Sequence, residues 1–577
     1  TSSAGAIEMD TGAVIELKDV TIIQDSSTGY TINKGTVEIA EGGFLKILPG
    51  STTQDFAFAT GATSFNIKSR ASLQIERNAQ FVYNNSTETL LVCEDATSEM
   101  SLDNSTFKAS EDLTIANGTI IADGKSTIDT DGNTITLDTT SDIVVMPAAT
   151  LELSGAGTVN YGVHDYVWTE MQKIQSSEKE EADKFGRRVA ISGNYAIIGA
   201  YFEDTGGDAA GAAYIFELSG STWTEAAILR ASDAAANDQF GESVAISGNY
   251  AIVGATGEGS LYPAAPPGAA YIFERSGGVW GNAGSGCRTE TRKLLIVPPV
   301  TASQHAYARF GHSVAIDGDY AVVGAYNDDH RYYHQGAVYI FERVGDLWGT
   351  DQGSYSGQTQ RIEASDYENQ SEDFGYSVGI SDSYLIVGTP QEDTGGSEAG
   401  AAYMFERSGS WSEVKKLYAS DQAASDHFGR FVAVSEDYAI IGATGDAGGT
   451  GAAYIFERSG GVWGDNQGSY STETQKIVAS DAQAGDTFGE AVAISGNFAI
   501  VGAYNEDTGG SSAGAAYIFE RSGGTWTEDL KIQASDLQAS DYFGCSCGIS
   551  GNYSIVGAHA EDTGASNTGA AYIFERS

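Results

Sequence analysis

FGEAVAISGNFAIVGAYNEDTGG, residues 488–510, decides the fold. It holds two alternating apolar runs, FGEAVAIS and FAIVGAY, a break at Ser495-Gly496-Asn497, and an acidic, glycine-rich tail. Alternation over so few residues reads as strand, and Gly and Asn in the break supply the positive φ of a hairpin turn. The phrase recurs with small edits. Phe-Gly stands at 185, 240, 310, 374, 428, 488 and 543, and fourteen residues after each Phe comes a Gly-Ala or Gly-Thr step, at Gly199, Gly254, Gly324, Gly388, Gly442, Gly502 and Gly557. All seven tryptophans, Trp168, Trp223, Trp280, Trp348, Trp411, Trp463 and Trp526, fall once per unit at one phase.

Each unit adds a third run of GAAYIFERS type and a Trp-led fourth ending in KIQAS, so a unit is a four-stranded antiparallel meander. Four strands per period of 54 to 70 residues is the signature of propeller blades. The region opens on a fourth strand with no unit of its own, YVWTEMQKIQ (166–175), and stops at Ser577 after a third strand. The expectation is an all-β, seven-bladed β-propeller over residues 161–577, closed end to end by 166–175 completing the Phe543 unit so that no sheet edge stays open there.

Residues 1–160 follow another rule. They contain no Trp, no His and only Arg70 and Arg77 among arginines, and short Thr/Ile/Val runs alternate with Gly, Asn and Asp turns, most clearly over 118–159. Short, evenly spaced strands suit the coils of a β-solenoid, each burying its apolar side on the next, although a β-sandwich also fits.

Phe-Gly, then a Val-Ala-Ile strand, then Val-Gly-Ala resembles the FG-GAP repeats of the integrin α-subunit head and of many microbial surface proteins, over about 410 residues. The resemblance implies an extracellular propeller used for adhesion or ligand binding. It also implies a calcium loop of Asp-x-Asp-x-Asp-Gly type between the first two strands. Here that link is only three residues, such as Ser192-Gly193-Asn194 or Asp317-Gly318-Asp319, too short to wrap a cation that takes roughly six to eight oxygens.

Composition limits the partners. With 31 basic and 78 acidic residues the net charge is −47, which repels nucleic acid and anionic membrane surfaces. No run of 18 apolar residues exists to span a bilayer. Four cysteines do not make a disulfide scaffold, and sequons at Asn84, Asn85, Asn104, Asn117, Asn369 and Asn552 fit a glycosylated exterior. The opening TSSAGAIEMD, without Met or signal peptide, fits a processed chain or a fragment.

In a meander the link from second to third strand shares a rim with the link from fourth strand to the next unit, and both links are acidic. Asp204, Asp393, Asp507 and Asp562 lie in the first type; the pairs Asp233 and Asp238, Asp421 and Asp426, Asp481 and Asp486, Asp536 and Asp541 lie in the second. Three readings stay open for this ring of carboxylates: bridging Ca2+, turn formation through backbone N–H groups, or a cationic ligand.

The Phe310 unit breaks the pattern. Its acidic phrase becomes NDDHRYYHQG, where His330, Arg331, Tyr332, Tyr333 and His334 make the expected partner contact. Thirteen residues separate Trp280 from Lys293, Trp348 from Arg361 and Trp463 from Lys476, against five from Trp526 to Lys531, so three units carry an eight-residue insertion, expected as a solvated bulge on the wall.

No nucleophile, base or His-rich metal site stands out, so no catalytic residue is assigned. The expected function is non-enzymatic: an extracellular adhesion or ligand-binding protein contacting a surface protein, a glycan or copies of itself. A coat or filament subunit is the alternative, and a polysaccharide-active enzyme a further one.

Overall fold

A computed structural model describes residues 167–576 apart from 260–266, 285, 298–306, 330–333, 367–371, 523 and 563–565, together with the strand backbone between residues 6 and 160. The chain divides into two compact units, Thr1–Tyr166 and Val167–Ser577.

In the first unit every strand pair is parallel. Successive strands are dealt in rotation to three sheets, so that Gln80–Tyr83 pairs with Asp55–Phe58 on one side and Thr106–Ala109 on the other.

The second unit is an array of antiparallel sheets, each begun by one Phe-Gly pair and named here by its Phe. The Phe488 sheet shows the plan: Ala491–Ser495, Phe498–Ala503, Ala515–Ser522 and Thr525–Ile532 follow one another as a meander. Its second and third strands are buried on both faces, Ala499 to Val501 and Ala515 to Ile518 each being 0% exposed, because neighbouring sheets cover them from both sides. That requirement explains why AAYIF carries no charged residue. The Phe543 sheet takes its outer strand from the other end of the unit: Trp168–Ile174 pairs antiparallel with Ala570–Arg576. The innermost strands touch in turn, and Phe543–Ser550 lies against both Ala491–Ser495 and Arg188–Ser192, so the circle closes.

The repeated letters hold the seams between sheets. Gly186 has φ +87° and donates its N–H to the Gly199 carbonyl; a Cβ on Gly557 would overlap the Gly186 carbonyl oxygen of the neighbouring sheet. The Phe-Gly and Gly-Ala glycines are thus two sides of one close backbone approach. Further out, Trp526 meets Tyr438 of the preceding sheet edge-on at 5.7 Å, and Arg521 lies 5.0 Å over the same Tyr438 ring. Across the joint where the ends meet, Trp223 meets Tyr553 at 5.8 Å.

The insertions are not solvated bulges. Each folds into a small hairpin that adds strands to the outer edge of the preceding sheet: Lys416, Leu417 and Tyr418 pair with Tyr470, Ser471 and Thr472; Lys293 and Leu294 with Tyr355 and Ser356; Leu229 with Arg288. At three of the four junctions where the following unit has no insertion, a glutamine spans the gap, with Leu530 in its place at the fourth. Gln475 donates to the Trp526 carbonyl at 2.6 Å and accepts from its N–H at 2.9 Å, as Gln172 does with Trp223 and Gln360 with Trp411. Where a hairpin follows, the same outer-strand position is Ala227, Arg292 or Lys415, and the Arg292 guanidinium and Lys415 ammonium bond into that hairpin. The sequence missed this because Asn, Gly and Ser made the insertions read as loop.

Candidate binding face: the loop rim and the channel mouth

The two acidic loop types do share a rim, and there each meets a cation supplied by the fourth strand. Lys531 reaches Asp481 at 2.6 Å and Glu506 at 2.9 Å. Lys416 sits between Asp366 and Glu392, Lys476 between Asp421 and Asp446, Lys293 between Asp233 and Glu258, and Lys173 between Asp536 and Glu561. The tyrosine of AAYIF adds a hydroxyl: Tyr517 donates to Asp481 at 2.8 Å, Tyr454 to Asp421 at 3.0 Å, Tyr271 to Asp233 at 3.1 Å and Tyr572 to Asp536 at 2.8 Å. Burial works to raise Asp481, Asp421 and Asp536, but lysine and tyrosine together outweigh it and hold all three below the usual carboxylate range.

Two units vary this set in a compensated way. In the Phe185 unit the lead-in Asp becomes Glu178, the Lys position is Ile228, and the cation comes from Arg230 two residues on, which bonds Glu178 at 2.6 Å and Glu203 at 2.8 Å. In the Phe310 unit Arg361 meets Asp328 at 3.4 Å, and Tyr339 donates to Asp328.

The remaining rim aspartates make turns. Asp238, Asp426, Asp486 and Asp541 each accept the N–H three residues earlier, at 2.7 to 2.8 Å, and Asp204, Asp393, Asp507 and Asp562 each accept the N–H five residues later, at 2.6 to 2.7 Å. Burial pushes Asp183, Asp238 and Asp541 up to about 6 and Asp373 up to about 7. Among the described residues no three Asp, Glu, His or Cys side chains converge as a metal-binding group. Of the expected contact patch, His330 to Tyr333 lie outside the described residues; His334 has φ 49° and its N–H donates to Asp329 at 2.6 Å.

A second feature escaped the sequence reading. The residue after each Phe-Gly stands beside the innermost strands, where His312, Tyr376 and Cys545 line a central channel, and there the repeat dissolves: Arg187, Glu242, His312, Tyr376, Arg430, Glu490 and Cys545 follow in turn. The available signal was variability between constant flanks. Deeper positions line a cavity of about 170 Å³ with Ser243, Ser313, Ser377 and Ser546, but with Arg188 and Phe431 in two units. Arg188 extends across the channel to lie 5.7 Å over the Phe431 ring. His312 Nδ1 is 3.2 Å from Glu242, and His312, Tyr326 and Tyr376 form one aromatic cluster; Tyr504, Tyr542 and His559 form another. Cys545 and Cys547 are unbonded thiols on one strand.

A circle of four-stranded antiparallel sheets around a lined channel defines a β-propeller. The FG-GAP repeat model matches residues 168–216, 223–273, 300–341, 356–405, 411–456, 471–519 and 526–574, more than half of the chain, and the chain belongs to the FG-GAP repeat family. Six of the seven matches begin on an outer strand or its hairpin and run into the third strand of the next sheet, the phase that the joined ends require. No curated protein matches the chain. Among solved structures it is similar to the WD40 domain of Toxoplasma gondii coronin, with 9% identity, a TM-score of 0.42, and coverage of 72% of this chain and 87% of that one.

Proposed function

We propose that the chain is a non-enzymatic extracellular recognition protein: a seven-bladed ring carried with a β-solenoid stem, whose channel mouth contacts a surface protein or a glycan. One observation carries this reading. Positions that hold the ring together keep their residue from unit to unit, whereas the mouth positions Arg187, Glu242, His312, Tyr376, Arg430, Glu490 and Cys545 differ in almost every unit. Binding surfaces on a rigid scaffold concentrate where packing does not dictate the side chain. The rim carboxylates support a binder over a glycan-cleaving enzyme, because Lys engages them in salt bridges and Tyr donates hydrogen bonds to them. The parallel strand pairing between residues 6 and 160 supports the stem reading. A calcium-bridged rim is the less supported version, since lysines already stand between the acids.

The test is capture on protein and glycan arrays by the full chain and by a variant with Tyr376→Ala and Arg430→Ala. Capture lost with the mouth residues sustains the reading; capture unchanged by them removes the mouth from it. A self-associating coat is the second reading, favoured by the outer strand Thr525–Ile532, which ends its sheet uncovered by any hairpin. Filaments in micrographs of the purified chain would decide for it.

A further inference from the structure

The rim and the channel treat cations in opposite ways. Lys173, Lys293, Lys416, Lys476, Lys531 and Arg230 each stand between two carboxylates. Arg187 and Arg188 have no carboxylate within ion-pair distance among the described residues, in a chain with a net charge of −47. The acid whose charge both feel, Glu490, is ion-paired with Arg430 at 3.6 Å instead. Arg188 donates one hydrogen bond, to the Arg187 carbonyl at 3.1 Å, so most of its five N–H groups have no protein acceptor. It stands where four other units place serine, and it lines the cavity. A guanidinium held over an aromatic ring with its donors unspent is a fork for a planar or tetrahedral anion.

A second observation agrees on sign. His559 Nδ1 is buried with no partner, and burial, followed by the charges of Arg187, Lys184 and Arg188, pushes its pKa down to about 3. Arg187, Lys184 and Arg188 thus set a positive local potential at His559, with Glu242 and Glu490 the acids at the same level of the ring.

The rest of the lining narrows the ligand. Ser243, Ser313 and Ser546 spend their hydroxyl protons on the Gly311, Gly375 and Gly186 carbonyls and Ser377 accepts the Val432 N–H, so these serines offer a ligand acceptor lone pairs, and Tyr201 and Tyr376 stand half-buried beside the arginines. Acceptor oxygens set among aromatic rings suit the hydroxyl groups of a sugar. The acidic rim repels densely charged polyanions, and at physiological salt its field is screened beyond roughly 8 Å, so a sparsely charged chain can still bring one anionic unit to the channel.

We propose that the channel mouth binds an acidic sugar unit, with its carboxylate or sulfate seated on Arg187 and Arg188. This rests on the recognition reading above and specifies the ligand class for the same mouth.

The test titrates the full chain, in roughly 0.15 M salt, with an oligogalacturonate, a sulfated galactan oligosaccharide and a neutral galactan oligosaccharide. The variants are Arg188→Ser and Arg187→His, residues that other units carry at those positions, with thermal melts to confirm folding. The expected result is binding of one or both acidic oligomers, at least about tenfold weaker binding of the neutral one, and at least about tenfold loss in each variant, as for a lost charge-assisted pair. The uronate and sulfate arms tell which anion is seated. Equal binding of the neutral oligomer, no binding of any, or undiminished binding by Arg188→Ser overturns the proposal. Array capture that persists in Arg188→Ser but is lost with Tyr376→Ala and Arg430→Ala would overturn the anion site while leaving the recognition reading in place.

Discussion

Lys173 and Asp536 are 363 residues apart in the chain and 2.6 Å apart in the structure. The contact completes in the Phe543 sheet the same Asp–Lys–Tyr set that the other units build from local sequence, with Tyr572 donating to Asp536 at 2.8 Å. Beside it, Ser535 donates both its N–H and its hydroxyl to Glu170, at 2.7 and 2.9 Å. The joint thus uses the ordinary seam contacts, with one side supplied from the start of the ring.

Replacing the rim lysine should uncover a carboxylate pair. Lys531→Met leaves Asp481 and the buried Glu506 without a counter-charge, at an expected cost of about 2–3 kcal/mol, below the range for fully buried pairs because Asp481 is partly exposed. Denaturant melts measure it, and adding Glu506→Gln should recover much of the loss. Calcium is expected to raise the melting temperature of Lys531→Met and to leave the parent unchanged on chelation; a parent that melts earlier in chelator would show that its rim holds a cation.

Stability should rise as pH falls from about 8 to about 5. Asp183, Asp238 and Asp541 titrate at about 6 and Asp373 at about 7 in the folded chain, against about 3.9 when unfolded, so the native state binds more protons in that window. Below about 4 the sign reverses, because Asp421, Asp481 and Asp536, held low by lysine and tyrosine, must then be protonated. Melting temperature against pH should therefore peak near 5; a monotonic fall from pH 8 would contradict the assigned shifts.

Two glycines near the joint should respond differently to alanine. Gly557→Ala drives a Cβ into the Gly186 carbonyl and should cost about 3 kcal/mol. Gly551→Ala, at φ +58° with nothing within 4 Å, should cost only the roughly 1 kcal/mol of a left-handed backbone. Equal costs would mean that the seam relaxes around the new methyl.

Gln475→Leu should cost about 1–2 kcal/mol through loss of two hydrogen bonds to Trp526. The chain supplies its own comparison, since Leu530 occupies the corresponding place and packs with Trp168. Loss of amide protection at Trp526 in hydrogen exchange would locate the effect.

The meander and its turns were legible because Phe-Gly, Ser-Gly-Asn and AAYIF encode strand alternation and positive φ within a few residues. The site was less so. Twelve aspartates were named from two loops, but what holds a third of them, Lys531 and Tyr517 in one unit, sits on other strands, and only the Tyr of every unit and the Lys at one phase in five of them hint at the contact. The change of Asp to Glu178, with Ile228 at the Lys position and Arg230 two residues on, was a further clue. The channel residues were overlooked because a search for repeats favours what is constant.

Edge matching has a consequence for the order of the units. Arg292 is made for a hairpin, and Trp411 for a glutamine. Excising the Phe310 unit whole would bring the Phe240 and Phe374 sheets together, leaving Arg292 with no hairpin and Trp411 facing arginine instead of Gln360. Near-identical modules are therefore not interchangeable: each carries an address for its successor, and a shuffled or shortened array would be mismatched along its outer wall even if its inner strands still met.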